Sequence, residues 1–232
     1  MKSRDIVILL LLIVVCTAGV FMVDERYRES QRAEAVERFR LLSALRKSAL
    51  LSYLDTARAE VSFWGSSEHI GGAMAGLEAG WNAMGADAGD QLQSLYMNPR
   101  QGQAPNVVSD AGDGSAYSAA HADLHAFARE FVTERGYYDF FLIDADGNII
   151  YTVEKEADYG TNLTAGPYAK TGLADVFREA LAADIAGAVA LSDLARYAPS
   201  GGAPAIFAGT ALRDAGGELT GVLALQLPSD TI

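Results

Sequence analysis

The spacing of apolar and polar positions changes character along the chain. Residues 6–23 (IVILLLLIVVCTAGVFMV) run for 18 positions without a charge, at the short end of what crosses a membrane's hydrocarbon core as a helix. Residues 24–64 contain neither Pro nor Gly and are rich in Ala, Leu, Glu and Arg, all good helix formers. Leu50, Leu54, Ala57, Val61 and Trp64 step by four, three, four and three, which lines one face of a helix. Phe39, Leu42 and Leu45 carry such a stripe upstream. This helix would be roughly 60 Å long at 1.5 Å per residue. A small core cannot cover that length, so the expectation is packing in a bundle or against a partner subunit.

Gly65-Ser66-Ser67 should break the helix. A Gly-rich, poorer helix is expected over 70–97, with Met74, Leu77, Trp81 and Met84 on it, and a loop over 98–114 where Pro, Gly, Asn and Asp collect. A further helix over 117–135 carries Leu124, Ala128, Phe131 and Val132 on its apolar side and stops at Gly136. Beyond Gly136 the period becomes strand-like. YYDFFLI (137–143) and IIYTV (149–153) flank Asp144-Ala145-Asp146-Gly147-Asn148, a hairpin signal because Asp-Gly permits positive φ. A helix over 173–183 precedes strands over 188–191, 205–212 and 219–227, the last two joined by a second hairpin turn over 213–218. Strand, strand, helix and three more strands read as an α+β domain with an antiparallel sheet.

The apolar run has three readings. A cleaved signal peptide needs a shorter run and a small-x-small site, and only Cys16-Thr17-Ala18, inside the run, comes near. A lipid anchor at Cys16 is disfavoured by the bulky Val15 before it. An uncleaved transmembrane signal anchor fits best, with a cytoplasmic tip over 1–5. Lys2 and Arg4 lie on one flank and Arg26, Arg28, Arg32, Arg38 and Arg40 on the other, which read alone would keep the large domain inside. Large domains translocate largely regardless of flanking charge, and these arginines alternate with acids, so an extracytoplasmic domain is expected. Cys16 is the single cysteine, and it leaves the exported part without thiols, which suits an oxidising compartment.

Composition narrows the function. The 232 residues carry 18 Lys plus Arg against 30 Asp plus Glu, a net charge of −12, which argues against a nucleic-acid partner. His121 and His125 sit four apart, but Ala122 stands where a metalloprotease carries Glu. They read as helix-packing or hydrogen-bonding histidines, and no metal or other cofactor is expected. Asp144, Asp146 and Asn148 begin like a calcium loop, but Gly147 comes fourth and an apolar strand follows. No nucleophile elbow or phosphate-binding glycine loop occurs in the sequence, so an enzyme is not expected.

DGSAYSAAHADLH, ERGYYDFFLIDADGNIIYTVEKEADYGTNL, GPYAKTGLADVFREA and APSGGAPAIFAGTAL together resemble the extracytoplasmic Cache (PDC-like, PAS-related) sensor regions of bacterial transmembrane receptors. Methyl-accepting chemotaxis proteins carry such regions, as do some membrane nucleotide cyclases and histidine kinases. The resemblance covers about half the chain, and its most specific part is the 138–156 hairpin followed by Thr161-Asn162-Leu163. It implies a helical region over 24–135 and a Cache domain over 136–232, with a small-ligand pocket beneath the loops after the second strand. The receptors continue into a second span and a signalling module, whereas this sequence ends at Ile232. The loop over 154–162 mixes a cation, carboxylates, an aromatic and an amide, which suits a small polar metabolite: an amine, an amino acid or an organic acid. Candidate ligand-binding residues are Tyr151, Lys155, Asp158, Asn162, Tyr168, Asp193, Tyr197 and Phe207. From Gly136 on there are 5 basic and 13 acidic residues, so 5 − 13 = −8, which favours a cationic ligand. Partners would be that metabolite, the membrane and a second copy through the N-terminal helix. The competing reading is an anchored adaptor or dimerisation module without ligand.

Overall fold

The computed structural model describes residues 3–98 and 102–228. The expected tip over 1–5 and the last residues of the expected 136–232 domain fall partly outside them. The chain divides into two compact units, Met1–Tyr53 and Leu54–Ile232.

The described residues of the first unit all lie on helix α1, Ser3–Gly65. Its apolar segment is exposed, with Leu11, Val15, Val20 and Phe21 between 60% and 70% accessible. The helix is long and apolar enough there to cross a membrane. Beyond that segment its surface carries ion pairs one turn apart, such as Arg28–Asp24 at 2.9 Å and Arg38–Glu34 at 2.7 Å, which support an exposed helix modestly. Val36, Phe39, Leu42 and Leu45 are also exposed.

The second unit holds the last turns of α1, then α2 (Glu68–Met84), α3 (Ala88–Leu92), α4 (Ala116–Arg135), α5 (Gly172–Leu181) and six strands. The strands are β1 (Asp139–Asp144), β2 (Ile149–Thr152), β3 (Val189–Leu191), β4 (Ala195–Tyr197), β5 (Ala203–Arg213) and β6 (Leu219–Leu227). The sheet runs β2-β1-β6-β5-β3, with β4 on the other half of β5, and every described pairing is antiparallel. It is thus the α+β, antiparallel domain expected. The expected helix over 70–97 is instead broken. Gly85 has φ 78°, which ends α2, and a 3₁₀ turn, α3 and a π turn over Gln93–Met97 follow. The short strand β4 was not expected.

The sheet has helices on both faces. On one side Phe141, Ile143, Phe207, Val222 and Ala224 pack with Leu173, Val176 and Phe177 of α5. On the other, α2 and α4 pack against each other and cover β1, β2 and β6. Trp64 of α1 packs on Phe127, with tilted rings, and edge-on against Phe131 of α4, with ring centroids 4.7 and 5.7 Å apart. Glu60 pairs with Arg135 at 3.3 Å and accepts from the Tyr137 hydroxyl at 2.7 Å. Helix α4 ends at Gly136, in the left-handed conformation expected of a C-terminal stop.

Candidate functional site

Strand β2 delivers the chain into the loop over 153–162, and a buried carboxylate holds that exit. Asp139, at the start of β1, accepts from the amides of Phe140 (2.7 Å), Val153 (2.8 Å) and Glu154 (3.1 Å) and from the Thr152 hydroxyl. Burial pushes its pKa up against the pull of these donors. Lys155 follows with φ 53°, the single non-glycine residue at positive φ among those described. Such a conformation is costly for a residue with a Cβ and persists only where its surroundings fix it.

Beyond that point neighbouring side chains are held by opposite layers. Glu156 accepts from the Tyr138 and Ser200 hydroxyls, each at 2.7 Å. Asp158 accepts from the Tyr197 hydroxyl at 2.5 Å. Tyr197 belongs to the core beneath α5, its ring 4.8 Å from Phe207, and Tyr168 lies 6.4 Å away and packs on the same core. Lys155 and Tyr159 instead join the α4 layer. The Tyr159 hydroxyl is 2.6 Å from that of Tyr117, which donates to the Ile150 carbonyl. Gly160 meets α3 at Gly89, where a Cβ would stand 2.7 Å from the Gly89 carbonyl oxygen, so the loop comes this close only without a side chain.

The eight candidate residues therefore fall into three groups. Asp158, Tyr168, Tyr197 and Phe207 converge on the α5 side. Asp158 is 1% exposed, and its Oδ1 has no hydrogen-bond partner. Burial lifts its pKa to about 6, against the Tyr197 hydroxyl, which pulls it down. Tyr151 and Lys155 lie on the α4 side. The Tyr151 hydroxyl donates to His125 Nδ1 at 2.8 Å, and Lys155 Nζ sits 3.4 and 3.5 Å from the two ring nitrogens of that histidine. Asn162 and Asp193 join neither. The Asn162 side chain is engaged in its own turn, donating to Asn148 Oδ1 at 2.9 Å and accepting from the Thr164 amide at 2.8 Å. Asp193 is exposed between β3 and β4.

The eight candidates omit Tyr96, Tyr117 and Asp139, and Tyr159 entered only as the aromatic of the 154–162 loop. Tyr117, His121 and His125 are spaced by four, a helical face that was legible. Tyr96 and Tyr159 gave no periodic signal. The two histidines are the hydrogen-bonding residues expected: His121 Nδ1 lies 2.6 Å from the Ser109 carbonyl and His125 Nε2 lies 3.0 Å from that of Asn106. Among the described residues, no group of three or more His, Cys, Asp or Glu could hold a metal ion. A cavity of about 450 Å³ lies at the opposite end of the strands, between the α1–α2 turn and the β5–β6 hairpin, and none of the eight candidates lines it.

No protein-family model and no curated protein matches the chain. Among solved structures, it is similar to the sensor domain of the V. cholerae histidine kinase DctB, at 14% identity and a TM-score of 0.48, over 80% of this chain and 53% of that one. It is also similar to the ligand-binding domain of the Pseudomonas fluorescens chemoreceptor CtaA, solved with L-serine, at 23% identity and a TM-score of 0.36, over 49% and 43%. A third is the ligand-binding domain of the Pseudomonas aeruginosa chemoreceptor PctC, solved with GABA, at 17% identity and a TM-score of 0.33, over 76% and 66%. The chain thus spans about half the length of the first two and about two thirds of the third.

Proposed function

We propose that this chain is the extracytoplasmic small-ligand sensing module of a bacterial transmembrane receptor, of the chemotaxis type or a related one. The observation that carries the reading is Asp158. A buried carboxylate with one oxygen unpartnered is costly to maintain, and three aromatic side chains gather beside it under α5. A ligand ammonium would supply the missing partner, and the net acidity of the domain favours its approach. The resemblance of the 138–163 segment to Cache sensors points the same way. Titrating the full chain in detergent with amino acids, amines and organic acids tests this. At a hundred times its Kd, a ligand specific for the folded state adds about 2.7 kcal/mol of stability, read as a rise in melting temperature. Asp158→Asn should weaken an amine ligand by roughly ten- to a hundredfold, since a charge-assisted bond becomes a neutral one. No stabilisation by any compound would favour the adaptor reading instead.

The module would sit on the outer side of the membrane and pair with a second copy through the exposed apolar positions of α1. A reporter that works only outside the cytoplasm, fused after Leu227, is expected to be active, and a cytoplasm-only reporter at the same place silent. The reverse pattern would vindicate the arginine-rich flank as the inner one.

A further inference from the structure

The α4 side of the loop contains groups that the proposed sensing pocket leaves unused. Lys155 is 2% exposed. Among the described residues it forms no ion pair; its amine is near the His125 ring nitrogens and the Val153 carbonyl, the latter at 3.3 Å, and lies over the Tyr96 ring at 5.9 Å from its centroid, so no anionic acceptor pairs with it. His121 is fully buried and its Nε2 has no partner. The Ser109 carbonyl can only accept, so Nδ1 of His121 carries the proton and Nε2 presents a bare lone pair. Both groups adjoin His125. Lys155 Nζ contacts its ring nitrogens, and the His121 ring stacks on it at 4.8 Å between centroids. Tyr96 and Tyr151 wall the cluster, their rings 4.4 and 5.1 Å from that of His121. One buried donor and one buried acceptor therefore stand poorly satisfied together, at a cost a bound molecule would relieve.

The pair defines its occupant. The amine requires an acceptor, best an anionic oxygen, and the imidazole lone pair requires a hydroxyl hydrogen. We infer that Lys155 and His121 form a second, interior site for a small oxyanion that carries its own hydroxyl, such as an α-hydroxycarboxylate or bicarbonate. The way in lies under the strap over 104–114. His125 holds that strap through the Asn106 carbonyl and His121 through the Ser109 carbonyl, while the Asn106 amide donates to the Glu154 carboxylate at 3.1 Å. Three polar latches thus fasten this cover, and Val108 is its buried apolar contact.

Glycolate, bicarbonate and acetate, each titrated into the full chain in detergent at constant ionic strength, test the site. Glycolate or bicarbonate should raise the melting temperature saturably, and the tighter of the two identifies the source as organic or inorganic. Acetate lacks the hydroxyl and should bind on the order of tenfold more weakly, because it leaves His121 Nε2 unpaired. His121→Phe keeps the ring stack and should erase the preference for glycolate over acetate. Lys155→Met should abolish the response to all three, and Asp158→Asn should leave it unchanged. The site is refuted if neither hydroxylated anion gives a saturable response up to about 50 mM, a Kd range already weaker than about −2 kcal/mol, since water alone would then fill it. Persistence of the response in Lys155→Met refutes it equally. Loss of the response in Asp158→Asn would assign the binding to the α5 side.

Discussion

Replacing Lys155 with Met should make the protein more stable at pH 7, by roughly 2–4 kcal/mol. The amine is buried, and burial lowers its pKa to about 7 from 10.5, against the upward pull of the Asp139 and Glu154 carboxylates. Arg129 adds to the depression. Between these two values the unfolded chain holds a proton that the folded chain lacks, so stability rises with pH across about 7 to 10.5 and is flat below. A methionine fills similar space, accepts the same positive φ and carries no such linkage. The advantage of Lys155→Met should therefore shrink from pH 7 towards pH 10, and melting curves of both forms through that range measure it. A destabilised Lys155→Met, or a difference independent of pH, would mean that the amine is solvated or stably paired in the fold. Two neighbours titrate lower and in opposite senses. His125, depressed to about 4 by burial and by the Lys155 charge, makes stability rise from about pH 4 to 6.5. Asp158, raised from 3.8 to about 6, makes it fall from about pH 3.8 to 6.

Asp139→Ala should act in the opposite direction and at least as strongly, costing roughly 3–5 kcal/mol. Three backbone amides and the Thr152 hydroxyl lose their acceptor at once, in a place that water does not reach without disrupting β1. Asp139→Asn separates charge from geometry. Its amide oxygen still accepts from the backbone, so most of the stability should return. Chemical denaturation midpoints of the three forms decide the matter, and an Asp139→Ala protein as stable as the wild type would show that the loop exit anchors itself.

The two hairpins, the α+β order and the end of α4 at Gly136 were readable because each rests on local chemistry: Gly-containing turns between runs of β-favouring apolar residues, and a glycine stop. Strand β4 was not, because three residues, Ala-Arg-Tyr, are too few to show a period, and they form a strand through pairing with Ala203, Pro204 and Ala205. The break in the expected 70–97 helix lay in a glycine-rich stretch where Gly72, Gly76 and Gly80 stay helical and Gly85 does not. Residue type alone does not separate them. At the site, the sequence put Lys155 and Asp158 on one loop and named Tyr168, Tyr197 and Phe207, which the fold gathers on the α5 side with Asp158. It could not show that Lys155 and Asp158 lie on opposite sides. That depends on one positive φ at Lys155, which a lysine does not advertise, and on tyrosines distant in sequence, as Tyr117 reaches Tyr159, 42 residues away.

The loop after β2 also behaves like a printed sentence whose meaning depends on letter count. Lys155 and Tyr159 serve one reader and Glu156 and Asp158 another, and Gly160 must fall where Gly89 leaves room. Exchanging one letter alters one word. Adding or removing a letter between Lys155 and Gly160 would leave the amine in place but shift the carboxylates and Tyr159 against the layers that hold them and put a side chain against α3. The fold of this segment should therefore suffer more from a change of length than from most single exchanges, Gly160 apart.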